Sequence, residues 1–301
     1  MLKTSQRAAL SAAFALPVSA ALALCLAHAA SAQQQQQQQN QQQQQQQRAQ
    51  KKKLQASSNF AQYAGRDASN RLIAGGATRG MVADEAAQLS QKGQDAYEAG
   101  KYDEAVAAFK RVTELKPTDA RAFYHLGVSH ETAGHYKEAV EAYRKAAALT
   151  DRVELKAMSF YNLGNSYAAD NQPKEAAEAY KQVIALVPDQ PVAHYNLALA
   201  YAAAGQYEEA VAEFKQAVKL KADYAEAEFN LGITYGNLGR FDDAADAFKR
   251  AAQLKPDYAE AHYNLGLADL ALDDKAGVQS EIKKLETLNK TLAARLKSLS
   301  Q

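Results

Sequence analysis

Tryptophan is absent from the 301 residues and cysteine occurs once, at Cys25. A lone thiol closes no intramolecular disulfide and supplies no Cys-rich metal set. No excess of charge of either sign exists: 35 Lys and Arg against 34 Asp and Glu leave a formal charge of +1. Such a balance gives no argument for nucleic acid or an acidic membrane surface as the main partner. No phosphate-cradling glycine loop, serine nucleophile elbow or Cys/His pairing appears, and no long unassigned segment is left to hold a catalytic domain. An enzyme is not expected, and no cofactor is implied. The hydrophobic content of 47% suits a folded protein, but it is unevenly distributed.

Residues 1–32 read as an export signal. Lys3 and Arg7 give a basic start, Ala8 to Ala27 an apolar segment, and Ala30-Ser31-Ala32 a small-x-small cleavage site before Gln33. Pro17 and the many alanines favour cleavage over the alternative, an uncleaved anchor. Arg48 and Lys51–Lys53 weigh slightly the other way, because they place more positive charge after the apolar segment than before it. Leu24 precedes Cys25 where a lipoprotein signal would carry a small residue, which argues against lipidation. Cleavage would remove Lys3, Arg7 and Cys25, giving a mature chain of formal charge −1 with no thiol. The expected location is outside the cytoplasm, in the periplasm or cell envelope if the source is bacterial.

Residues 33–53 are a low-complexity tether, almost pure glutamine broken by Asn40 and ending in a basic run. With few apolar side chains to bury, such a tract does not offset chain entropy. Residues 54–83 read as a linker: Phe60, Tyr63, Leu72 and Ile73 are sparse, and Gly65, Gly75, Gly76 and Gly80 interrupt any helix. Order is expected to begin at Asp84, a suitable helix N-cap.

From there to residue 301 the chain is repetitive. Gly93, Gly127, Gly164, Ala198, Gly232 and Gly266 follow one another at 34, 37, 34, 34 and 34 residues, a period that signals stacked supersecondary units. Phe160, Leu163, Gly164 and Tyr167, then Ala176, Tyr180 and Val183, then Pro188 give spacings of three and four in two halves, the stripes of two amphipathic helices. Gly100, Gly134, Asn171, Gly205 and Gly239 stand where a left-handed residue would close the first helix. Glycine inside a helix costs about 1 kcal/mol against alanine, so these repeated glycines imply a close helix contact. Ala105, Ala139, Ala176, Ala210 and Ala244 serve that contact from the second helix, and Tyr143, Tyr180, Phe214 and Phe248 are expected to fill the gap to the next repeat.

At these residues the chain resembles the tetratricopeptide repeat family, over about two thirds of its length. The resemblance implies an all-α, right-handed α-solenoid of about six helix-turn-helix repeats, with first helices lining a concave groove. Departures are visible. Leu89, Phe123, Phe160, His194, Glu228 and His262 replace the family's opening tryptophan. Three extra residues fall within Thr150 to Lys156, where a bend in the stack is expected. After Leu272 the sixth repeat degenerates, and Ile282, Leu285 and Leu288 with Leu292, Leu296 and Leu299 read as a terminal cap.

Opposite the buried stripe a ring–amide pair recurs: Tyr161-Asn162 with Asn165 nearby, Tyr195-Asn196, Phe229-Asn230 and Tyr263-Asn264, with Tyr124-His125 in the second repeat. An amide pairs with any peptide bond, so this ladder is expected to grip an extended segment of a protein or peptide partner; the alternative is that the asparagines cap or cross-link helices. Arg121, Met158, Val192, Glu226 and Glu260 also face the groove, and the two acids argue against an acidic tail as ligand. His125, His130 and His135 lie five apart, off one helix face, so no metal site is expected. Asp242-Asp243 and Asp273-Asp274 sit at helix starts, where acids suit the dipole. The expected role is an exported protein-interaction scaffold. The alternatives are a self-associating envelope component, or an accessory non-catalytic subunit of an envelope polysaccharide or secretion system.

Overall fold

A computed structural model describes the backbone of residues 74–301 and the side chains of residues 83–301. The expected signal, the glutamine tether and most of the linker lie outside the described residues. What is described is thirteen helices: α1 (Ala74–Glu98), α2 (Tyr102–Leu115), α3 (Ala120–Thr132), α4 (Tyr136–Ala148), α5 (Val153–Ala169), α6 (Pro173–Leu186), α7 (Pro191–Ala203), α8 (Tyr207–Leu220), α9 (Ala225–Asn237), α10 (Phe241–Leu254), α11 (Ala259–Ala271), α12 (Lys275–Leu288) and α13 (Lys290–Leu299). Odd-numbered helices up to α11 open a repeat and even-numbered ones close it.

The left-handed turn residues are those the spacing picked out. Gly100, Gly134, Gly205 and Gly239 take φ between 70° and 81°, and Asn171 takes 58°. Asp273, at φ 62°, does the same in the sixth repeat. Its neighbour Asp274 caps α12 by accepting from the backbone N–H groups of Ala276 and Gly277, while Asp242 and Asp243 lie in the first turn of α10.

One expectation about a boundary needs correction. α1 runs through Asp84 from Ala74, so Gly75, Gly76 and Gly80 do not break it. Three glycines at about 1 kcal/mol each are outweighed by continuation of a helix already nucleated against α2. The three extra residues at 150–156 are taken up in a helix. They lengthen α5 to 17 residues against 13 in α3, α7, α9 and α11, an added turn at its start, and α4 still packs against α5 along its length.

Within a repeat the helical glycine lies under an aromatic ring of its own partner helix. A Cβ added to Gly127 would stand 2.7 Å from the Tyr143 ring; Gly164 and Gly232 meet Tyr180 and Phe248 at the same distance, and Gly93 meets Phe109 at 2.9 Å. These rings therefore complete their own hairpin, where the sequence pattern had placed them between repeats. Ala105, Ala139, Ala176, Ala210 and Ala244 are wholly inaccessible, the closest-packed points of the second helices.

Successive repeats share a continuous core, since each second helix packs on the following first helix. First helices also touch along the stack, α3 with α5, α7 with α9 and α9 with α11, whereas second helices of adjacent repeats make no comparable contact. The first helices thus converge and the second helices splay, which puts α3, α5, α7, α9 and α11 on the concave side. Their sequences fit that position. α7 and α9 are buried around most of their circumference, while α8 and α10 bury one stripe only.

The junctions carry a second recurring tie. Arg144 lies over the Tyr167 ring, Lys181 over Tyr201 and Lys215 over Tyr235, at 5.4–5.6 Å from the centroid. Each pair joins a second helix to the next first helix, and each cation–ring contact is worth about 0.5–1 kcal/mol. At the C-terminal end Leu296 of α13 packs on Gly266 in place of the missing aromatic, and Ile282, Leu285 and Leu296 are buried. Leu288 and Leu299 are not, so the cap closes with fewer leucines than its pattern offered.

Candidate functional site

The ring–amide pairs meet across repeats. Asn162 Nδ2 donates to the Tyr124 hydroxyl at 3.1 Å, Asn196 to Tyr161 at 3.0 Å and Asn230 to Tyr195 at 3.0 Å. Each rung ties a first helix to the one before it. Asn230 Nδ2 also donates to the Glu226 carbonyl at 2.8 Å. Asn264 makes the same local bond to Glu260 at 2.8 Å, but the preceding ring is Phe229, which has no hydroxyl, so the fourth rung is missing. Phe229 packs on Phe248 and Tyr258 instead, and Tyr263 lies under Arg295 of the cap. Asn165 accepts from the Tyr180 hydroxyl at 2.7 Å within its own repeat.

This differs from the ladder of open amides that the sequence pattern suggested. Asn162, Asn165, Asn196 and Asn230 are 9%, 4%, 1% and 5% exposed, and their hydrogen bonds run inside the stack. The reason is geometric: curvature brings adjacent first helices close enough for a tyrosine hydroxyl to reach the next asparagine. Of the ten ring and amide positions, only Tyr124, Tyr161 and Asn264 keep intermediate exposure.

The more open surface on these helices lies one turn earlier. Arg121, Met158 and Glu260 are exposed and Val192 and Glu226 half-buried. Glu226 and Glu260 both face Tyr258, whose hydroxyl is held above its ordinary range by burial first and by these two carboxylates second. That end of the concave face therefore carries two neighbouring acids.

A further acid lies at the other end and was not picked out by spacing. Glu131, in the last turn of α3, accepts from the Tyr143 hydroxyl at 2.7 Å. Burial pushes its carboxyl up to about 7, with the Tyr143 and Ser166 hydroxyls acting in the opposite sense. The sequence did hold a signal, since the equivalent places in later repeats are Ala168, Ala202, Gly236 and Leu270.

The histidines have structural settings. His125 stacks on Phe109 at 5.3 Å and burial holds its ring below the usual value. His130 is lowered for the same reason and lies 5.7 Å from His135. His194 and His262, at the tryptophan position, tie the two helices of their hairpin. Each places Nδ1 2.6 Å from a carboxylate nineteen residues on, Glu213 or Glu281, and Nε2 3.0 Å from the carbonyl of Pro188 or Pro256. Glu228 stands at that position in the fifth repeat and pairs with Arg250 at 2.8 Å. No group of three or more potential metal ligands is found among the described residues.

Comparison with known proteins agrees with this geometry. Tetratricopeptide repeat models match residues 90–152 and, as three overlapping segments, residues 164–205, 199–239 and 235–272, together more than half of the chain. Among solved structures, YrrB, described as a TPR protein with an unusual peptide-binding site, is similar at 23% identity and a TM-score of 0.55, over 64% of this chain and 100% of that one. MamA from Desulfovibrio magneticus aligns at 24% identity and 0.54, over 58% and 97%. A tetratricopeptide repeat protein from Parabacteroides merdae aligns at 17% identity and 0.58, over 71% and 84%. At these identities the likeness is one of fold. A search of curated proteins finds no match.

Proposed function

Because the chain belongs to the tetratricopeptide repeat family, we propose that it is a protein-interaction scaffold whose concave first-helix face takes an extended segment of a partner polypeptide. The convergence of the first helices carries this reading. It makes one continuous concave strip, with Arg121, Met158, Val192, Glu226 and Glu260 available along it. The buried asparagine rungs hold that strip in shape, and Tyr124, Tyr161 and Asn264 remain as polar and aromatic contacts at its wall. YrrB, described as a TPR protein with an unusual peptide-binding site, shares the fold, which supports the choice of ligand class.

The test is selection of a displayed library of random ten-residue peptides on the full chain, followed by titration of the selected sequences. Met158→Arg changes an exposed side chain, 39% accessible, and should leave unfolding unaffected. It should weaken the selected peptides by about tenfold or more, because a long cation stands in the strip. Peptides that bind the variant as well as the parent would place the binding elsewhere.

We further propose that the chain is exported and cut after Ala32. The basic start, apolar segment and Ala30-Ser31-Ala32 support this. Mass analysis of the protein from its native host should find Gln33 at the amino terminus; an intact Met1 with the protein retained at the membrane would mean an anchor instead.

A further inference from the structure

Between the first and third repeats the concave wall holds an acid with no counter-ion among the described residues. Glu131 is half-buried and sits in the last turn of α3, where the helix dipole disfavours an anion. Among the described residues no charged side chain acts on it; its neighbours are the Tyr143 hydroxyl from α4 and Ser166 from α5. Ser166 is completely buried, with its hydroxyl turned to the Glu131 carboxyl. Tyr124 of α3 and Tyr97 of α1 complete the surroundings, each close enough to act on Tyr143 or Tyr124 electrostatically. The Tyr124 and Tyr143 rings lie 5.8 Å apart. The neighbouring His130 faces Lys110, Glu138 and His135 and takes no part.

This arrangement has the chemistry of a receptor for a cation. A carboxylate with one oxygen held by a tyrosine and rings on its flanks offers an ion pair and a cation–ring contact together. A lysine or arginine tip entering there would neutralise a charge that the fold leaves unmatched, and its alkyl stem would cover the tyrosine faces. We propose, resting on the groove reading above, that Glu131 with Tyr97, Tyr124, Tyr143 and Ser166 forms the subsite for a basic side chain of the bound segment. The paired Glu226 and Glu260 at the far end of the strip give a basic partner a second point of attraction.

Titration gives the subsite a signature. The carboxyl of the free protein loses its proton near pH 7, and a bound cation favours the ionised form. Tyr124 and Tyr143 ionise far above this range, and Ser166 does not titrate. A peptide carrying Lys or Arg and no His should bind about tenfold more tightly at pH 8 than at pH 6, the ratio of ionised fractions for a group near 7.

The test uses the full chain and the peptides selected on it. Lys or Arg should be fixed at one position of the selected set. Replacing that residue by norleucine should weaken binding to the parent by about tenfold and to Glu131→Gln by less than about twofold. The glutamine keeps the shape and an acceptor for Tyr143, and its binding should be flat in pH. Selected peptides that lack a fixed basic position, or whose basic preference survives Glu131→Gln, would overturn the subsite while leaving the groove intact. Peptides insensitive to Met158→Arg would overturn the groove and, with it, the subsite.

Discussion

At the scale of single residues the fold depends on places where almost nothing fits. A Cβ on Gly164 would stand 2.7 Å from the Tyr180 ring, and that ring is itself wholly buried and tethered to Asn165. Helix propensity alone would credit Gly164→Ala with about 1 kcal/mol of stabilisation. Overpacking against a ring that cannot turn costs about 1–3 kcal/mol, so the variant should be less stable, by a lower urea midpoint with unchanged slope. A midpoint above the parent's would mean that the ring is free to move. Glu131 gives a second residue-scale expectation. Its folded-state value near 7 lies above the unfolded value of 4.5, so the native chain holds the proton more tightly between the two. That contribution is complete below the unfolded value, falls away as pH rises through 7, and then levels. Glu131→Gln should therefore stabilise the chain at pH 8 by about 2 kcal/mol or less, with little effect at pH 4. Unfolding curves at the two pH values check it, and equal shifts at both would remove the buried carboxyl as the cause.

At the scale of elements, two junction devices repeat and then lapse. The cation–ring ties run from Arg144–Tyr167 through Lys215–Tyr235, but Lys249 faces Asp269 where the next tyrosine would be. The asparagine rungs run from Tyr124–Asn162 to Tyr195–Asn230 and stop at Phe229. Asn264 is already held by the Glu260 carbonyl as Asn230 is held by that of Glu226. Phe229→Tyr should therefore complete a fourth rung and stabilise by about 0.5–1.5 kcal/mol, provided the new hydroxyl finds Asn264. The double variant with Asn264→Ala is the control, and a gain that survives it would belong to packing rather than to the rung.

These elements also mark what the sequence could express. The thirteen-residue helices and left-handed turns were legible because glycine and the apolar stripe return in phase, and phase is visible without coordinates. The rungs were half legible. The Tyr-Asn spelling was plain, but its use depends on the distance between consecutive first helices, a product of curvature that no single repeat encodes. Asn196, 1% exposed, consequently read as a peptide contact when it is a cross-link. Glu131 was hidden for another reason. Its meaning comes from Tyr143 on the adjoining helix and Ser166 one repeat later, and it shows in the chain only as an acid where the later repeats carry Ala, Gly or Leu. The extra turn of α5 was not legible, because an insertion counted in residues does not say whether it extends a helix or a loop.

At the scale of the whole molecule, six hairpins that cannot close a core alone make one curved wall. Its inner face is set by α3, α5, α7, α9 and α11, and α13 closes the end. A stack of this type has stability that passes between neighbours, which leaves function to the long faces. The outer edge offers a competing surface, because Leu149, Leu220, Leu254 and Leu288 stand 39–42% exposed at the ends of the second helices α4, α8, α10 and α12. The measurement that separates the two faces is amide chemical-shift mapping of the full chain as a selected ten-residue peptide is added. Shifts concentrated at Tyr124, Glu131, Met158, Tyr161, Val192 and Glu226 are the expected result. Shifts confined to the ends of α4, α8, α10 and α12, with those first-helix amides unmoved, would contradict the account.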